Sequence, residues 1–151
     1  MGLIIDKDLI FIDISFKDYK EALCYLSEEL QKKGYVKESF KNAVLKREET
    51  FPTGLAFEGY GIAIPHADAE YVNKSTLAFA VLKDEIKFRR MEDEKESVNV
   101  KIICMIVLKE KQNQAIFLSK LLDTFSDSNY INRLKNGTKE EISNLLLELN
   151  N

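Results

Sequence analysis

The chain contains a single histidine, His66, at the end of the segment Gly61-Ile62-Ala63-Ile64-Pro65-His66. The apolar residues predict a short strand, and Pro65 ends it because proline fixes φ and lacks a backbone donor. We therefore expect His66 at the rim of a sheet, where α/β proteins commonly place functional groups. On this local pattern alone, a partly exposed loop histidine without a chemical role is an equally good interpretation.

A lone imidazole restricts the chemistry that this chain can perform. Zinc-type sites need several His or Cys ligands, and one His with two well-separated Cys does not supply them. Asp68 and Glu70 follow His66 closely, but they do not complete a two-His, one-carboxylate triad, so we expect no metal. The sequence has no Gly-x-Ser-x-Gly elbow for a serine hydrolase. The simplest remaining role is a direct nucleophile, since neutral imidazole can accept a phosphoryl group at neutral pH.

Composition excludes several other classes of protein. With 151 residues, 45% of them hydrophobic, the chain has the size and apolar content of one folded domain. A net charge of −3 argues against nucleic-acid binding. We expect no membrane insertion and no secretory signal, because no apolar run approaches ~18 residues and the N-terminus lacks a basic region before an apolar stretch. Cys24 and Cys104 lie in apolar surroundings and are predicted to be reduced core thiols of a cytoplasmic protein.

Segments with helical periodicity alternate along the chain with strand-like segments. The helices and strands that they predict must position His66. Helices are predicted from Asp18 to Gly34, from Ser39 to a point before Pro52, over Gln114–Phe125 and from Thr138 onward. Strands are predicted at Ile10–Ile14, Gly61–Ile64, Ser75–Leu82, Ile86–Phe88 and Val98–Val107, with a solvated loop over Arg89–Ser97. This mixture predicts a single α/β domain over residues 1–151, with a mixed β-sheet covered by α-helices on both faces.

Two motifs give the chain a specific resemblance. Arg47-Glu48 with Pro52-Thr53-Gly54, followed by the segment that ends in His66, resembles the signature of enzyme IIA domains of the fructose/mannitol type, EIIA type 2. These domains belong to the bacterial phosphotransferase system for sugar uptake. The similarity covers nearly the whole chain, and the segments at 70–72, 81–83 and 86–88 with Met91 most resemble the galactitol-type branch.

The resemblance implies a function and partners. His66 is expected to accept a phosphoryl group from phospho-HPr on Nε2, with Nδ1 held by a backbone acceptor. It would then pass the group to a cysteine of a cognate IIB component, while the membrane-embedded IIC component selects the carbohydrate. No cofactor is implied. Apolar residues around the histidine are expected to meet these partners, and Leu55, Phe57 and Tyr60 are candidates for that surface or for the core.

Three further residues are implied to bind phosphate. Arg47 matches the family arginine, whose planar guanidinium suits equatorial phosphoryl oxygens; without the motif, a helix-end cation that interacts with the macrodipole is the favoured interpretation. Thr53, together with Gly54, is expected to bring backbone N–H groups to the phosphate, or else simply to form a tight turn. Gln112 is matched to a second histidine that several relatives have, and its amide can donate a hydrogen bond without carrying charge.

Asp68 is unfavourable near a phosphorylated His66, because its carboxylate would repel the negatively charged phosphoryl group. We expect its side chain to cap the following turn and point away. Two other functions stay open: a regulatory protein that reports its phosphorylation state by binding another protein, and a small-molecule binding module without covalent chemistry.

Overall fold

The computed structural model describes residues 2–150; the first and last residues of the predicted domain lie outside this part. Five strands form one sheet in the order β1-β4-β5-β3-β2. They are β1 (Ile10–Ile14), β2 (Gly54–Phe57), β3 (Tyr60–Ala63), β4 (Thr76–Arg89) and β5 (Ser97–Val107). β1 pairs with β4 and β3 pairs with β5 in parallel, whereas β4–β5 and β2–β3 are antiparallel. The predicted mixed sheet is confirmed.

Helices cover both faces of this sheet, as predicted. They are α1 (Tyr19–Lys32), α2 (Phe40–Thr50), α3 (Gln114–Phe125), α4 (Ser128–Asn136) and α5 (Lys139–Leu147). Along β4, Leu77 and Phe79 join the core under α3, α4 and α5, while the intervening Ala78 and Ala80 join the core under α1 and α2. Because successive strand residues point to opposite faces, a near-continuous apolar run fits a sheet covered on both sides.

Helix ends agree well with the local signals in the sequence. The Asp18 side chain accepts a hydrogen bond from the Glu21 N–H at the start of α1, and Thr138 and Glu141 form a complete capping box at α5. Gly34 follows the C-terminus of α1 with φ +80°, a conformation that glycine adopts without strain. α2 stops at Thr50, before Pro52.

Several expectations need correction. The predicted strands Ser75–Leu82 and Ile86–Phe88 form, apart from Ser75, one strand, β4, because a register shift opposite β5 accommodates the charged residues 83–85 where a turn was expected. The β2 strand and the α4 helix were missed, since β2 is short and α4 is largely polar. Cys104 is buried, which raises the pKa of its thiol to about 12, but Cys24 is only half-buried; both are free thiols.

Two glycines of the resemblance motifs allow the β4–β5 hairpin to approach β2 and β3. A Cβ on Gly54 would lie 2.5 Å from the carbonyl oxygen of Arg89. A Cβ on Gly61 would overlap the carbonyl oxygen of Asn99 and would lie 2.8 Å from Val98 Cγ2. These positions therefore require glycine for close packing. The hairpin carries residues 91–94 to the cleft that holds His66.

Candidate functional site

His66 follows β3 and Pro65 at the rim of the sheet, as predicted. Its backbone forms a parallel bridge with Ile106 of β5, and the side chain is 8% exposed. Nδ1 lies 2.9 Å from the carbonyl oxygen of Ile64. Since a carbonyl oxygen only accepts, Nδ1 carries the proton and the lone pair is left on Nε2. The backbone acceptor expected for Nδ1 is therefore present.

The electrostatic surroundings keep the imidazole neutral. Burial lowers the pKa of His66 below its usual 6.5, and the nearby Arg47 cation lowers it further. The hydrogen bond to Ile64 and the Asp68 carboxylate act in the opposite direction but do not outweigh burial. At neutral pH, His66 consequently presents an unprotonated nitrogen rather than an imidazolium.

Arg47 lies in the last turn of α2 and lines the same cleft as His66. One face of its guanidinium stacks over the Phe51 ring, with Cζ 5.5 Å from the ring centroid. Nη1 is 3.3 Å from Asp68 Oδ1, and Nε is buried without a hydrogen-bond partner within residues 2–150. Because Arg47 lies at the C-terminus of α2, its charge also interacts favourably with the helix macrodipole. This interaction is compatible with phosphate binding.

Asp68 does not cap the turn that follows it. It occupies the N-cap position of the 3-10 helix Ala69–Tyr71, but its side chain accepts no backbone hydrogen bond there. The carboxylate pairs with Arg47 instead. The expectation that Asp68 points away from the site is therefore wrong.

Thr53 lines the cleft, but its donors are already used. The buried Glu48 carboxylate accepts the Thr53 N–H at 2.7 Å on Oε2 and the Thr53 hydroxyl at 2.8 Å on Oε1. Thr53 is thus not arranged as the direct phosphate donor that was predicted, because both groups are engaged with one carboxylate. The pair ties the C-terminal turn of α2 to the start of β2.

Glu48 is the site residue that sequence reasoning quoted in a motif but left without a role. Its side chain is 3% exposed, and burial raises the pKa of its carboxyl above the usual value despite the two hydrogen bonds from Thr53. The available signal in the sequence was its position directly after Arg47 in the Arg47-Glu48 motif. The burial that the structure shows explains its pairing with Thr53, because acidic residues are rarely buried without partners.

A different glutamine from the one predicted approaches the His66 loop. Gln112 is exposed in the 3-10 helix Lys111–Asn113. Gln114, at the start of α3, donates a hydrogen bond from its Nε2 to the carbonyl oxygen of Ala67, at 3.3 Å. The amide that contacts the His66 loop in this structure is thus that of Gln114, whereas phosphate binding by Gln112 stays a prediction.

These residues surround a cleft of about 460 Å³, hereafter the histidine cleft. Its lining is Arg47, Thr50, Phe51, Pro52, Thr53, His66, Met91, Glu92, Glu94 and Leu118. Phe51 and Met91 are 62% and 41% exposed, so the rim is partly apolar. The predicted docking candidates behave differently: Leu55 is buried, and Phe57 and Tyr60 stack on each other against the core.

Residues 2–150 hold no group of three or more His, Cys, Asp or Glu side chains placed to bind a metal ion. Within the same residues, each helix is too short or too polar to cross a bilayer.

Known proteins resemble this chain in sequence and in fold. The galactitol-specific EIIA component of Escherichia coli K12 is 28% identical over 121 residues, which is 80% of each chain. The crystal structure of the mannitol IIA protein of E. coli superposes with a TM-score of 0.76 at 26% identity, covering 95% of this chain and 99% of that one. The E. coli complex of enzyme IIA and phosphorylated enzyme IIB for mannitol contains a chain that matches with a TM-score of 0.74 at 27% identity, covering 96% and 99%.

The match to a family model extends over almost the entire chain. Residues 3–149 match the model described as phosphoenolpyruvate-dependent sugar phosphotransferase system, EIIA 2. The matched range includes every strand of the sheet and the whole histidine cleft. The chain therefore belongs to the EIIA 2 family of the sugar phosphotransferase system, as its Arg-Glu, Pro-Thr-Gly and Gly-x-Ala-Ile-Pro-His motifs had indicated.

Proposed function

We propose that His66 accepts a phosphoryl group from phospho-HPr and passes it to a cysteine of a cognate IIB component. The observation that carries the proposal is the tautomer of His66: Nδ1 is held by Ile64, which leaves the Nε2 lone pair in a cleft that also contains Arg47. Family membership supports a phosphotransfer role.

The first step exchanges one P–N bond for another. Nε2 of His66 attacks phosphorus, the P–Nε2 bond forms, and the P–N bond of the donor breaks with its electron pair returning to the donor. The imidazole gains positive charge as it loses its lone pair, and the Nδ1–H bond to Ile64 strengthens in response. The Arg47 guanidinium offsets charge on the equatorial oxygens of the transferring group.

The second step breaks the P–Nε2 bond as a P–S bond forms on the IIB cysteine. The positively charged ring is a good leaving group, since it recovers its neutral form when the bond breaks. The E. coli mannitol complex, in which an enzyme IIA binds a phosphorylated enzyme IIB, supports a IIB partner. The exposed apolar rim at Phe51 and Met91 suits transient docking of HPr and IIB.

The transported carbohydrate is proposed to be galactitol or a related polyol. This rests on the galactitol-specific EIIA component of E. coli, which matches 80% of this chain. The membrane component IIC would select the sugar, so transport assays with the cognate IIB and IIC test this part. Uptake limited to hexoses such as fructose would contradict it.

Labelling with phosphoenolpyruvate, enzyme I and HPr tests the core of the proposal. We expect one phosphoryl group per chain in an acid-labile, alkali-stable linkage, and no label in His66→Ala. Equal label in His66→Ala, or none in the wild type, would overturn it. The labelled protein should then lose its phosphoryl group to IIB; retention would favour the regulatory alternative.

A further inference from the structure

The ion pair between Arg47 and Asp68 lies directly beside the nucleophile. Asp68 is two residues after His66, and its Oδ1 is 3.3 Å from Arg47 Nη1. Asp68 itself is not part of the histidine cleft lining, which contains the carboxylates of Glu92 and Glu94, and Glu92 pairs with Arg90 at 3.3 Å. Asp68 is the carboxylate for which the described residues show a contact with Arg47.

Arg47 has donor capacity that the unphosphorylated protein leaves unused. Its Nε is buried and has no hydrogen-bond acceptor within residues 2–150. An unsatisfied buried donor costs free energy, so Arg47 gains when an anion enters the cleft. The Phe51 ring covers one face of the guanidinium, which leaves its edge for anions.

We propose that Asp68 is a competing counterion, which holds Arg47 before phosphorylation and raises the free energy of the phosphorylated protein, so that the phosphoryl group is passed on more readily. This inference rests on the proposed function. A phosphoryl group brings a charge of about −1.5 to −2. Arg47 is then shared between two anions, the phosphoryl group and the Asp68 carboxylate. The unphosphorylated state does not bear this cost.

Asp68 is therefore a positioning residue, acting through Arg47 rather than on the reacting atoms. Removing its charge stabilises the phosphorylated state relative to the unphosphorylated one. The pair is partly exposed, with 37% and 64% of the side chains accessible, so solvent screening keeps the effect moderate. We expect about a threefold to tenfold change in the equilibrium constant.

The test measures the equilibrium ratio of phosphorylated to unphosphorylated protein. Wild type, Asp68→Asn and Glu70→Gln are each incubated with enzyme I, HPr and a fixed ratio of phosphoenolpyruvate to pyruvate, and the ratio is read by intact mass. Glu70→Gln is the matched control, an exposed carboxylate of the same loop. Asp68→Asn should raise the ratio about threefold to tenfold, with Glu70→Gln near wild type.

A double-mutant cycle separates competition for Arg47 from a general charge effect. In the Arg47→Ala background, Asp68→Asn should raise the ratio of phosphorylated to unphosphorylated protein by less than half of the factor seen with Arg47 present. The same factor in both backgrounds, an unchanged ratio in Asp68→Asn, or an equal rise in Glu70→Gln would overturn the inference while His66 still takes label. Failure of the wild type to take any label would overturn the proposed function and this inference together.

Discussion

Two clefts of similar size on the described part of the chain differ in the burial of their polar residues. The larger, of about 580 Å³, adjoins the turn before β3, and the histidine cleft adjoins the segment after β3. The larger cleft, hereafter the lysine cleft, is lined by Gly59, Tyr60, Lys83, Asp84, Glu85, Asn99, Lys101 and Lys135. Its charges at positions 83–85 are exposed, whereas His66 and Thr53 in the histidine cleft are buried.

The difference shows that burial of polar groups marks the site better than volume does. Burying an imidazole or a carboxylate costs free energy unless it has partners. His66 is held by Ile64, and Glu48 by Thr53, so their positions are fixed. In the lysine cleft, the side chains of Lys83, Asp84 and Glu85 are exposed and keep their rotamer freedom and water contacts. The predictions below test this contrast.

The largest expected effect comes from removing the Arg47 cation of the histidine cleft. Arg47→Ala should slow labelling of His66 by phospho-HPr about 10²- to 10³-fold, because charge stabilisation in the transition state is lost. Lys135→Ala, in the lysine cleft, should stay within about twofold of wild type. Initial rates of labelling measure both, with melting temperatures as the check on folding. Comparable losses in the two variants would remove the contrast.

The two glycines that flank Tyr60 should differ in their tolerance of a methyl group. Gly61→Ala should destabilise the protein by about 3 kcal/mol, since the new Cβ overlaps the Asn99 carbonyl oxygen. Gly59 has open space around it and φ +85°, so Gly59→Ala should cost only about 1–2 kcal/mol from backbone strain. Urea denaturation measures both; a smaller loss for Gly61→Ala would contradict the close packing of the hairpin.

Buried and exposed carboxylates should contribute differently to stability. Glu48→Ala should cost about 1–3 kcal/mol because it leaves the buried Thr53 N–H without an acceptor. Glu85→Ala, in the lysine cleft, should change stability by less than about 0.5 kcal/mol. Glu48→Gln should retain most of the stability, since its amide can accept from the Thr53 N–H and donate to the hydroxyl.

The pKa of Glu48 adds a pH dependence to this comparison. Because its folded-state pKa is raised, the stabilising contribution is complete below the usual carboxyl pKa of 4.5 and is lost as pH rises through the raised value. Wild type should therefore lose stability over this range relative to Glu48→Gln. Denaturation midpoints from pH 4 upward, at about one-unit steps, measure the difference. Parallel curves would show that the pKa of Glu48 is the same in the folded and unfolded states.

The smallest effect is the shift in the pKa of His66. The NMR titration midpoint of His66 should lie below 6.5. The labelling rate should stay constant as the pH is lowered to this midpoint and fall below it, because the imidazole is then protonated. Since the folded-state pKa is depressed, protonation also removes stability as pH falls from 6.5 towards the lower value. In Arg47→Ala the midpoint should move up towards 6.5. A midpoint above 6.5 in the wild type would contradict the neutral nucleophile.

The sequence predicted the parts of the fold and site that depend on neighbours along the chain. The caps at Asp18 and Thr138 involve residues three positions apart, and both were found in place. The placement of His66 after Pro65 at a strand end is equally local. Errors arose where distant segments meet: the bulge that joins both halves of β4 depends on its pairing with β5. Gln114 reaches Ala67, 47 positions away, and no local pattern distinguishes it from Gln112.

By itself, the sequence predicted a site with one imidazole, one arginine and two glycine-containing motifs, because residue types and short-range spacing can be read from it. Only the tertiary structure decided which groups touch. It paired Glu48 with Thr53, and it set Asp68 against Arg47 across 21 positions of the chain. Such contacts depend on how α2 and the segment after β3 pack against the same sheet. The balance of charge around His66 follows from that packing.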